Sequence, residues 1–317
     1  MKKILVTRKL LRSCEDKASK LFNSHFNSND ELYSQKKLIE LSKGCDGILS
    51  SLTDKIDEET IKKLPETVKI ISNFAVGFGN IDIEAAKKRN IIVTNTPDVL
   101  TDATAEIAML LILGACRRAN EGINWVKKEN WKWSADFLIG KQLTGSRLGI
   151  LGMGRIGRAV AKRAIGFNME IHYHNRSRLS EDIENGAIYH DNLKSLLKES
   201  EFLSINCPAT KETEKLINSD TIKFLPDRCV VGNAARGDII DDNAMVAALK
   251  NGKIFALGLD VYNGEPKIHP DYLKLKNIFL LPHIGSATKR TRWDMAYRAT
   301  DNLITFFNGR KPKDQVN

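Results

Sequence analysis

Short apolar runs alternate with stretches of helical periodicity along the first hundred residues. Ile4-Leu5-Val6, Gly47-Ile48-Leu49, Val68-Lys69-Ile70-Ile71 and Ile91-Ile92-Val93 predict strands, and residues 31–42, 58–64 and 83–89 between them predict helices. Runs this short suit strands buried on both faces, and their alternation with helices suits a parallel α/β layer. From 101 to 118, Ala105, Ala108, Met109, Ile112 and Leu113 recur at helical spacing behind a Thr101/Asp102 cap. A helix this apolar links domains or packs against a second subunit. A second strand–helix series starts at Leu148 and runs to about His283. Residues 291–307 then form a last helix with Met295, Ala299, Leu303 and Phe306 on one face. A lone helix after two complete series implies that the chain leaves its first domain, builds a second and returns. The expected domains are 1–100 with 286–317, and 101–285, the second opened by a linking or dimerisation helix over 101–119. The expected fold class is α/β, with a doubly wound parallel sheet in each domain.

The strand Leu148-Gly149-Ile150-Leu151 runs straight into Gly152-Met153-Gly154-Arg155-Ile156-Gly157 and a helix through Ala164. A G-x-G-x-x-G carries weight in that strand–turn–helix setting. Gly152 permits the tight turn, Gly154 lets a pyrophosphate approach the backbone, and Gly157 lets helix and strand pack closely. Free N–H groups at Arg155 and Ile156, with the helix dipole, then hold the phosphates. The alternative is a glycine-rich turn without ligand. The next strand, 169–173, should end on the group that receives the adenosine ribose. Position 175 is Asn, followed by Arg176, Ser177 and Arg178. An acid there would repel a 2′-phosphate, whereas two guanidinium groups and a hydroxyl attract one. NADPH is therefore expected over NADH, with NAD possible, unless both arginines are solvated strand-end charges.

Three further apolar runs each end on a residue suited to catalysis: 229–235 before Arg236, 254–262 before Glu265, and 277–282 before His283. Ligands of parallel sheets bind beyond the carboxyl ends of the strands, where these residues stand. A carboxylate on one ring nitrogen fixes the histidine tautomer and favours the imidazolium. Such a histidine can give a proton to a carbonyl oxygen as hydride arrives at carbon, and take it back in reverse. Arg236 would hold a substrate carboxylate and polarise the carbonyl; the alternative is an ion pair with Asp238, Asp241 or Asp242. In the first domain, the glycines of residues 75–80 could turn N–H groups inward as an anion nest, or simply turn the chain before a helix capped near Asp82. Ser51-Leu52, at another strand end, could line the same cleft. Trp125, Trp131 and Trp133 crowd one segment before Gly140, through either an interface or burial.

Composition narrows the class. A chain of 317 residues fits about two domains at ~150 residues each, and 42% hydrophobic with 28% charged residues is ordinary for a soluble enzyme. No apolar stretch approaches the ~20 residues of a membrane span. The opening Met1-Lys2-Lys3 precedes an apolar run of only three residues, which predicts a first strand rather than a signal peptide. The five cysteines are odd in number and scattered without Cys-x-x-Cys spacing, which argues against disulfides and a metal site and for a reducing cytoplasm. The net charge of +10 could serve an anionic partner, but the Lys pairs are dispersed and flanked by acids, as on solvated helix faces. No nucleic-acid motif accompanies them, so neither nucleic acid nor membrane is an expected partner.

Taken together, these motifs resemble the D-2-hydroxyacid dehydrogenase family over nearly the whole chain. The resemblance is most specific in 233–238 (NAARGD), 259–266 (LDVYNGEP) and 282–288 (PHIGSAT). It implies a Rossmann cofactor domain inserted into a flavodoxin-like substrate domain, and it carries the family's Arg, Glu and His onto Arg236, Glu265 and His283. It also implies a backbone substrate clamp at Val76 and Gly77, and cofactor contacts at Thr104, Cys207, Pro208, Thr213, Ala234, Asp260 and Gly285. Residues 100–106, 175–178 and 285–288, with Thr291-Arg292, look most like the glyoxylate/hydroxypyruvate reductase branch. That branch is dimeric and reduces small 2-oxo acids, and an aromatic residue of the neighbouring subunit can reach its active site; Trp133 is the candidate here. Residues 8–28 match the family only loosely.

The leading expectation is thus NADPH-dependent reduction of glyoxylate, hydroxypyruvate or a similar 2-oxo acid by a cytoplasmic homodimer. One alternative keeps the fold but uses NAD and a larger acid, such as a sugar acid, a branched acid or phosphoglycerate. The regulatory C-terminal domain common in phosphoglycerate dehydrogenases is not expected in a chain that stops soon after its last helix. Another alternative is a dinucleotide-binding corepressor, which carries the same Arg/Glu/His set; no recruitment tail supports it.

Overall fold

The chain begins with β1 (Lys3–Val6), α1 (Arg12–Leu21), β2 (Asn23–Phe26), α2 (Gln35–Leu41), β3 (Gly47–Ser51), α3 (Glu58–Lys63), β4 (Ile70–Phe74), α4 (Ile83–Lys88) and β5 (Ile92–Thr94). The computed structural model describes residues 1–317, which fall into two units, Met1–Leu100 with Ser286–Asn317, and Thr101–Gly285.

In the first unit the strands form one parallel sheet in the order β2-β1-β3-β4-β5. β3 and β4 are buried on both faces, which is why each carries consecutive apolar residues, Ile48-Leu49 and Ile70-Ile71, rather than an alternating pattern. Ser34, Asp57 and Asp82 start α2, α3 and α4 by accepting the N–H three residues on, from Lys37, Thr60 and Ala85. The Ser34 cap explains why the helix expected from 31 starts at Gln35. β2 escaped the sequence pattern because it is a short edge strand, Asn-Ser-His-Phe, alternately exposed and half-buried. The C-terminal helix, Lys289–Phe307, lies on this sheet. It buries Met295, Ala299 and Leu303 and half-buries Phe306, and the Ser72 hydroxyl on β4 donates to the Ala299 carbonyl (2.9 Å).

The second unit contains α5 (Thr101–Cys116), α6 (Ala119–Val126), β6 (Arg147–Leu151), α7 (Arg155–Ile165), β7 (Glu170–His174), α8 (Glu181–Glu184), β8 (Ile188–His190), α9 (Leu193–Glu199), β9 (Phe202–Ile205), α10 (Ser219–Ile222), β10 (Cys229–Asn233), α11 (Asp242–Lys250), β11 (Ile254–Leu259) and β12 (Ile278–Leu280). Its seven parallel strands are ordered β12-β11-β10-β9-β6-β7-β8. From β6 the chain proceeds outward through β7 and β8, then crosses back to β9 on the other side. The carboxyl ends of β6 and β9 therefore flank the switch point at which such sheets bind ligands.

One expectation about the 101–118 helix needs correction. Thr101 and Asp102 lie inside its first turn rather than capping it, and the Asp102 carboxylate pairs with Arg163 (3.0 Å). Much of the apolar surface of this helix packs on its own sheet. A Cβ at Gly258 would lie 2.5 Å from the Leu111 carbonyl oxygen, and one at Gly232 2.9 Å from the Ile112 side chain. Glycines on β10 and β11 thus let α5 approach the strands directly, and of its large apolar residues Leu110 stays exposed. The helix stops at Cys116 because Arg118 adopts a left-handed conformation (φ 55°) before α6.

Candidate active site

β6 delivers the chain into a turn whose three glycines each meet a different steric demand. Gly152 has φ 95°, and a Cβ there would lie 2.5 Å from the Cys207 backbone nitrogen. Gly157 opens the first turn of α7 so close to the strand that a Cβ would lie 2.3 Å from the Gly152 carbonyl oxygen. Gly154 faces open space, with nothing within 4 Å of a Cβ position, just before the N–H groups of Arg155 and Ile156 at the start of α7. A tight turn, an intimate helix contact and a vacant backbone face at a helix N-terminus fit a dinucleotide pyrophosphate.

The adenosine end of that site departs from the expectation. Asn175 turns its side chain back, its Oδ1 accepting the Met153 N–H (2.7 Å), and so braces the glycine turn. Arg178 is spoken for: its Nε and Nη2 donate to the two oxygens of Glu184 (2.9 and 3.0 Å), a carboxylate that is almost fully buried. The Tyr173 hydroxyl donates to the same carboxylate and accepts the Leu179 N–H (3.0 Å). With Arg178 first among its causes, this arrangement holds the Glu184 carboxyl below the ordinary range. Two free guanidinium groups were expected; one, Arg176, stands exposed without an ion pair, beside the exposed Ser177.

The proton-transfer set sits at the ends of three adjacent strands. The Glu265 Oε2 lies 2.7 Å from the His283 Nδ1, and its Oε1 accepts the Tyr262 N–H (2.8 Å). Burial pushes the Glu265 carboxyl up. The His283 hydrogen bond and charge, the Tyr262 N–H and Arg236 outweigh that push and leave it below the ordinary range. His283 itself holds a left-handed backbone (φ 54°), uncommon outside glycine. The loop is pinned on both sides. Asp260, buried at the end of β11, accepts the Ile284 and Gly285 N–H groups (2.8 and 2.7 Å), and the Tyr262 hydroxyl donates to the Leu281 carbonyl (2.7 Å).

Arg236 follows β10. The buried Asn233 fixes its turn by accepting the Ala235 N–H (2.9 Å) and donating to the Arg236 carbonyl (2.8 Å). The guanidinium donates to the Ala235 carbonyl (2.7 Å) and makes no ion pair. Asp241 instead caps α11, and Asp242 accepts the Tyr272 hydroxyl (2.9 Å). Burial lowers the Arg236 pKa against the pull of Glu265 and Asp238, so this cation is short of both solvent and counter-ion. Such a group can bind an anion strongly.

The remaining predicted residues are placed as follows. Thr104 is buried on α5 beside Gly285, where a Cβ would lie 3.6 Å from its methyl group. Cys207 is buried after β9, its thiol pushed up to about 11 by burial, and Pro208 accepts from the Thr213 hydroxyl (2.7 Å). Ala234 lies half-buried in the turn that leads to Arg236. Val76 and Gly77 follow β4 in the other unit, and Ser51 ends β3, its N–H donating to Asp54 (2.7 Å), with Leu52 half-buried next to it. Trp131 and Trp133 stand 85% and 78% exposed, so burial within the chain does not account for them. Asn233 and Tyr262 went unread in the sequence. Their positions, at a strand end and between Asp260 and Glu265, were the available signals.

A seven-stranded dinucleotide fold with a carboxylate-backed histidine and a half-buried arginine at its strand ends defines a nicotinamide-dependent oxidoreductase. Residues 109–285 match the family model of the NAD-binding domain of D-isomer specific 2-hydroxyacid dehydrogenases. The chain is 43% identical over 311 residues to the glycerate dehydrogenase of Hyphomicrobium methylovorum, covering 97% of each protein. It is 41% identical over 321 residues to the glyoxylate reductase of Thermococcus litoralis, covering 99% of this chain and 96% of the relative. Among solved structures it matches the NADPH-dependent glyoxylate/hydroxypyruvate reductase of Sinorhizobium meliloti in complex with NADP and malonate, with a TM-score of 0.89, 31% identity, and coverage of 99% and 96%. The chain belongs to the D-isomer specific 2-hydroxyacid dehydrogenase family and is an oxidoreductase. No helix is long and apolar enough to cross a membrane.

Proposed function

We propose that the protein reduces a small 2-oxo acid, glyoxylate or hydroxypyruvate, to the corresponding 2-hydroxy acid, of D configuration where the product is chiral. The observation that carries this reading is the 2.7 Å contact between Glu265 and His283 beside an arginine without a counter-ion. The bound cofactor supplies the hydride. Because Glu265 occupies Nδ1, the Nε2 of His283 is the nitrogen that gives a proton to the substrate carbonyl oxygen, and that recovers it in the reverse direction. Glu265 keeps the ring oriented and balances its charge. Arg236 takes the substrate carboxylate and draws negative charge toward the carbonyl oxygen as it develops. On the first unit, Val76 and Gly77 contribute substrate contacts through their backbone N–H groups, with Ser51 and Leu52 as further substrate contacts.

Gly152, Gly154, Arg155, Ile156 and Gly157 hold the pyrophosphate in this proposal, and Thr104, Cys207, Pro208, Thr213, Ala234, Asp260 and Gly285 extend the cofactor track. NADPH is favoured over NADH because position 175 carries no acid and Arg176 and Ser177 are free to meet a 2′-phosphate. The protein acts as a homodimer, in which the exposed Trp133 of one copy reaches the site of the other. A panel of 2-oxo acids run with NADPH and with NADH, followed by the near-ultraviolet absorbance of the reduced cofactor, tests the reading. Turnover of glyoxylate or hydroxypyruvate, faster with NADPH, is expected; no turnover of any 2-oxo acid refutes it.

A further inference from the structure

The loop after β4 presents three consecutive peptide units whose carbonyls are all taken from within the same unit. The Ala75 carbonyl accepts the Thr96 N–H (2.9 Å), the Val76 carbonyl accepts the Asn95 Nδ2 (2.7 Å), and the Gly77 carbonyl accepts the Asn73 Nδ2 (3.1 Å). All three peptides are trans, so each N–H points opposite to its own carbonyl. The N–H groups of Val76, Gly77 and Phe78 are thereby turned away from their anchors, and none of the three finds an acceptor in the protein. Three unpaired donors in a row are costly unless water or an anion meets them.

We infer that Asn73 and Asn95 are positioning residues that aim this loop at the substrate carboxylate. Both are buried (0% and 8% exposed), so they act through the backbone and not by touching substrate. Asn73 is itself fixed, its Oδ1 accepting the Ser50 hydroxyl (3.1 Å) and its Nδ2 also reaching the Asn80 Oδ1 (3.2 Å). Asn80 in turn donates to the Ser51 and Asp54 carbonyls (3.0 and 3.1 Å), which ties the loop to the end of β3. Asn95 leaves β5, and its carbonyl accepts the Asn302 Nδ2 (3.2 Å) from the C-terminal helix. The donor row is thus set from two neighbouring strand ends. The amide is the side chain the geometry requires, because a carboxylate of the same shape cannot donate to a carbonyl.

The inference rests on the proposed reduction of a 2-oxo acid, and the test separates the two. Asn95→Ala and the isosteric Asn95→Asp are compared with the parent enzyme and with Asn73→Ala, using glyoxylate, its uncharged methyl ester, and NADPH. Each variant is expected to raise KM for glyoxylate roughly 10-fold, the scale of one misdirected charge-assisted hydrogen bond. The kcat and the NADPH dissociation constant stay near the parent values, and KM for the ester barely moves, so the preference for acid over ester collapses. Because Asn73→Ala removes a buried hub, a failure of that variant to fold leaves the two Asn95 variants to decide. Unchanged KM for glyoxylate, or equal losses on acid and ester, would overturn the role of the asparagines. Failure of the parent enzyme to reduce any 2-oxo acid would instead overturn the function on which the inference rests.

Discussion

Gly237 lies between the two loops that carry Arg236 and Glu265, and it leaves no room for a side chain. A Cβ there would stand 2.0 Å from the Tyr262 carbonyl carbon, 2.2 Å from the Asn263 nitrogen and 2.4 Å from the Tyr262 oxygen. Ordinary contact starts at 3.4 Å, so Gly237→Ala must separate two backbone segments by roughly 1.4 Å. Neither segment can yield by a rotamer change, since every atom met is main chain. Arg236 directly precedes Gly237, and the Tyr262 N–H is held by Glu265, so the displacement falls on the distance between cation and carboxylate. Overpacking of this kind costs about 1–3 kcal/mol of stability, which would lower the melting temperature by several degrees. The kinetic effect should be larger, because a misplacement of ~1 Å at reacting groups costs about 10²-fold in rate. Steady-state reduction of hydroxypyruvate would read this loss as kcat/KM, with NADPH affinity measured separately by fluorescence and expected to change little. A folded Gly237→Ala enzyme with parental kcat/KM would refute the claim that this backbone contact keeps Arg236 and Glu265 in register.

Four other outcomes follow from the site. His283→Ala should keep NADPH binding while turnover falls by ~10²–10⁴-fold, the scale of general acid catalysis, and retained turnover would exclude it as the proton donor. Glu265 lies below the ordinary carboxylate range, so it is charged at neutral pH and loses that charge only as pH falls through its lowered value. Glu265→Gln removes that titrating carboxylate, so the acid edge it contributes to the reduction profile should disappear while kcat falls; an unmoved acid edge would take Glu265 out of the proton path. Arg176→Ala should reduce kcat/KM for NADPH by about 10-fold and spare NADH. Asn175→Asp, which keeps an oxygen for the Met153 N–H, should shift preference toward NADH; equal effects on both cofactors would remove the 2′-phosphate argument.

Much of the cofactor unit was legible because its demands are local. The spacing of Gly152, Gly154 and Gly157 encodes a turn, an approach and a helix contact within six residues, and the apolar runs before Arg236, Glu265 and His283 mark strands that end where they do. What escaped was settled by contacts that no local spacing or periodicity encodes. Nothing near Arg178 marks it as the ligand of Glu184, because that pairing needs the turn after β7 to fold back over α8. The reason for the apolar surface of α5 lies more than a hundred residues away, in Gly232 and Gly258, where a missing side chain rather than a present one makes the contact. Asn73 and Asn95 read as ordinary polar strand ends until their amides are seen on the carbonyls of Val76 and Gly77. β2 was invisible because an edge strand with one half-buried face needs no apolar run.

The interruption of the first unit by Thr101–Gly285 bears on how the chain matures during synthesis. The second unit is one continuous stretch and can complete its core as soon as it leaves the ribosome. The first hundred residues must wait for the C-terminal helix to cover β4, and for Val316, whose N–H donates to the Val93 carbonyl (2.9 Å). Until then Ile70 and Ser72 lack their cover, so residues made before the second unit reach their final surroundings only after it.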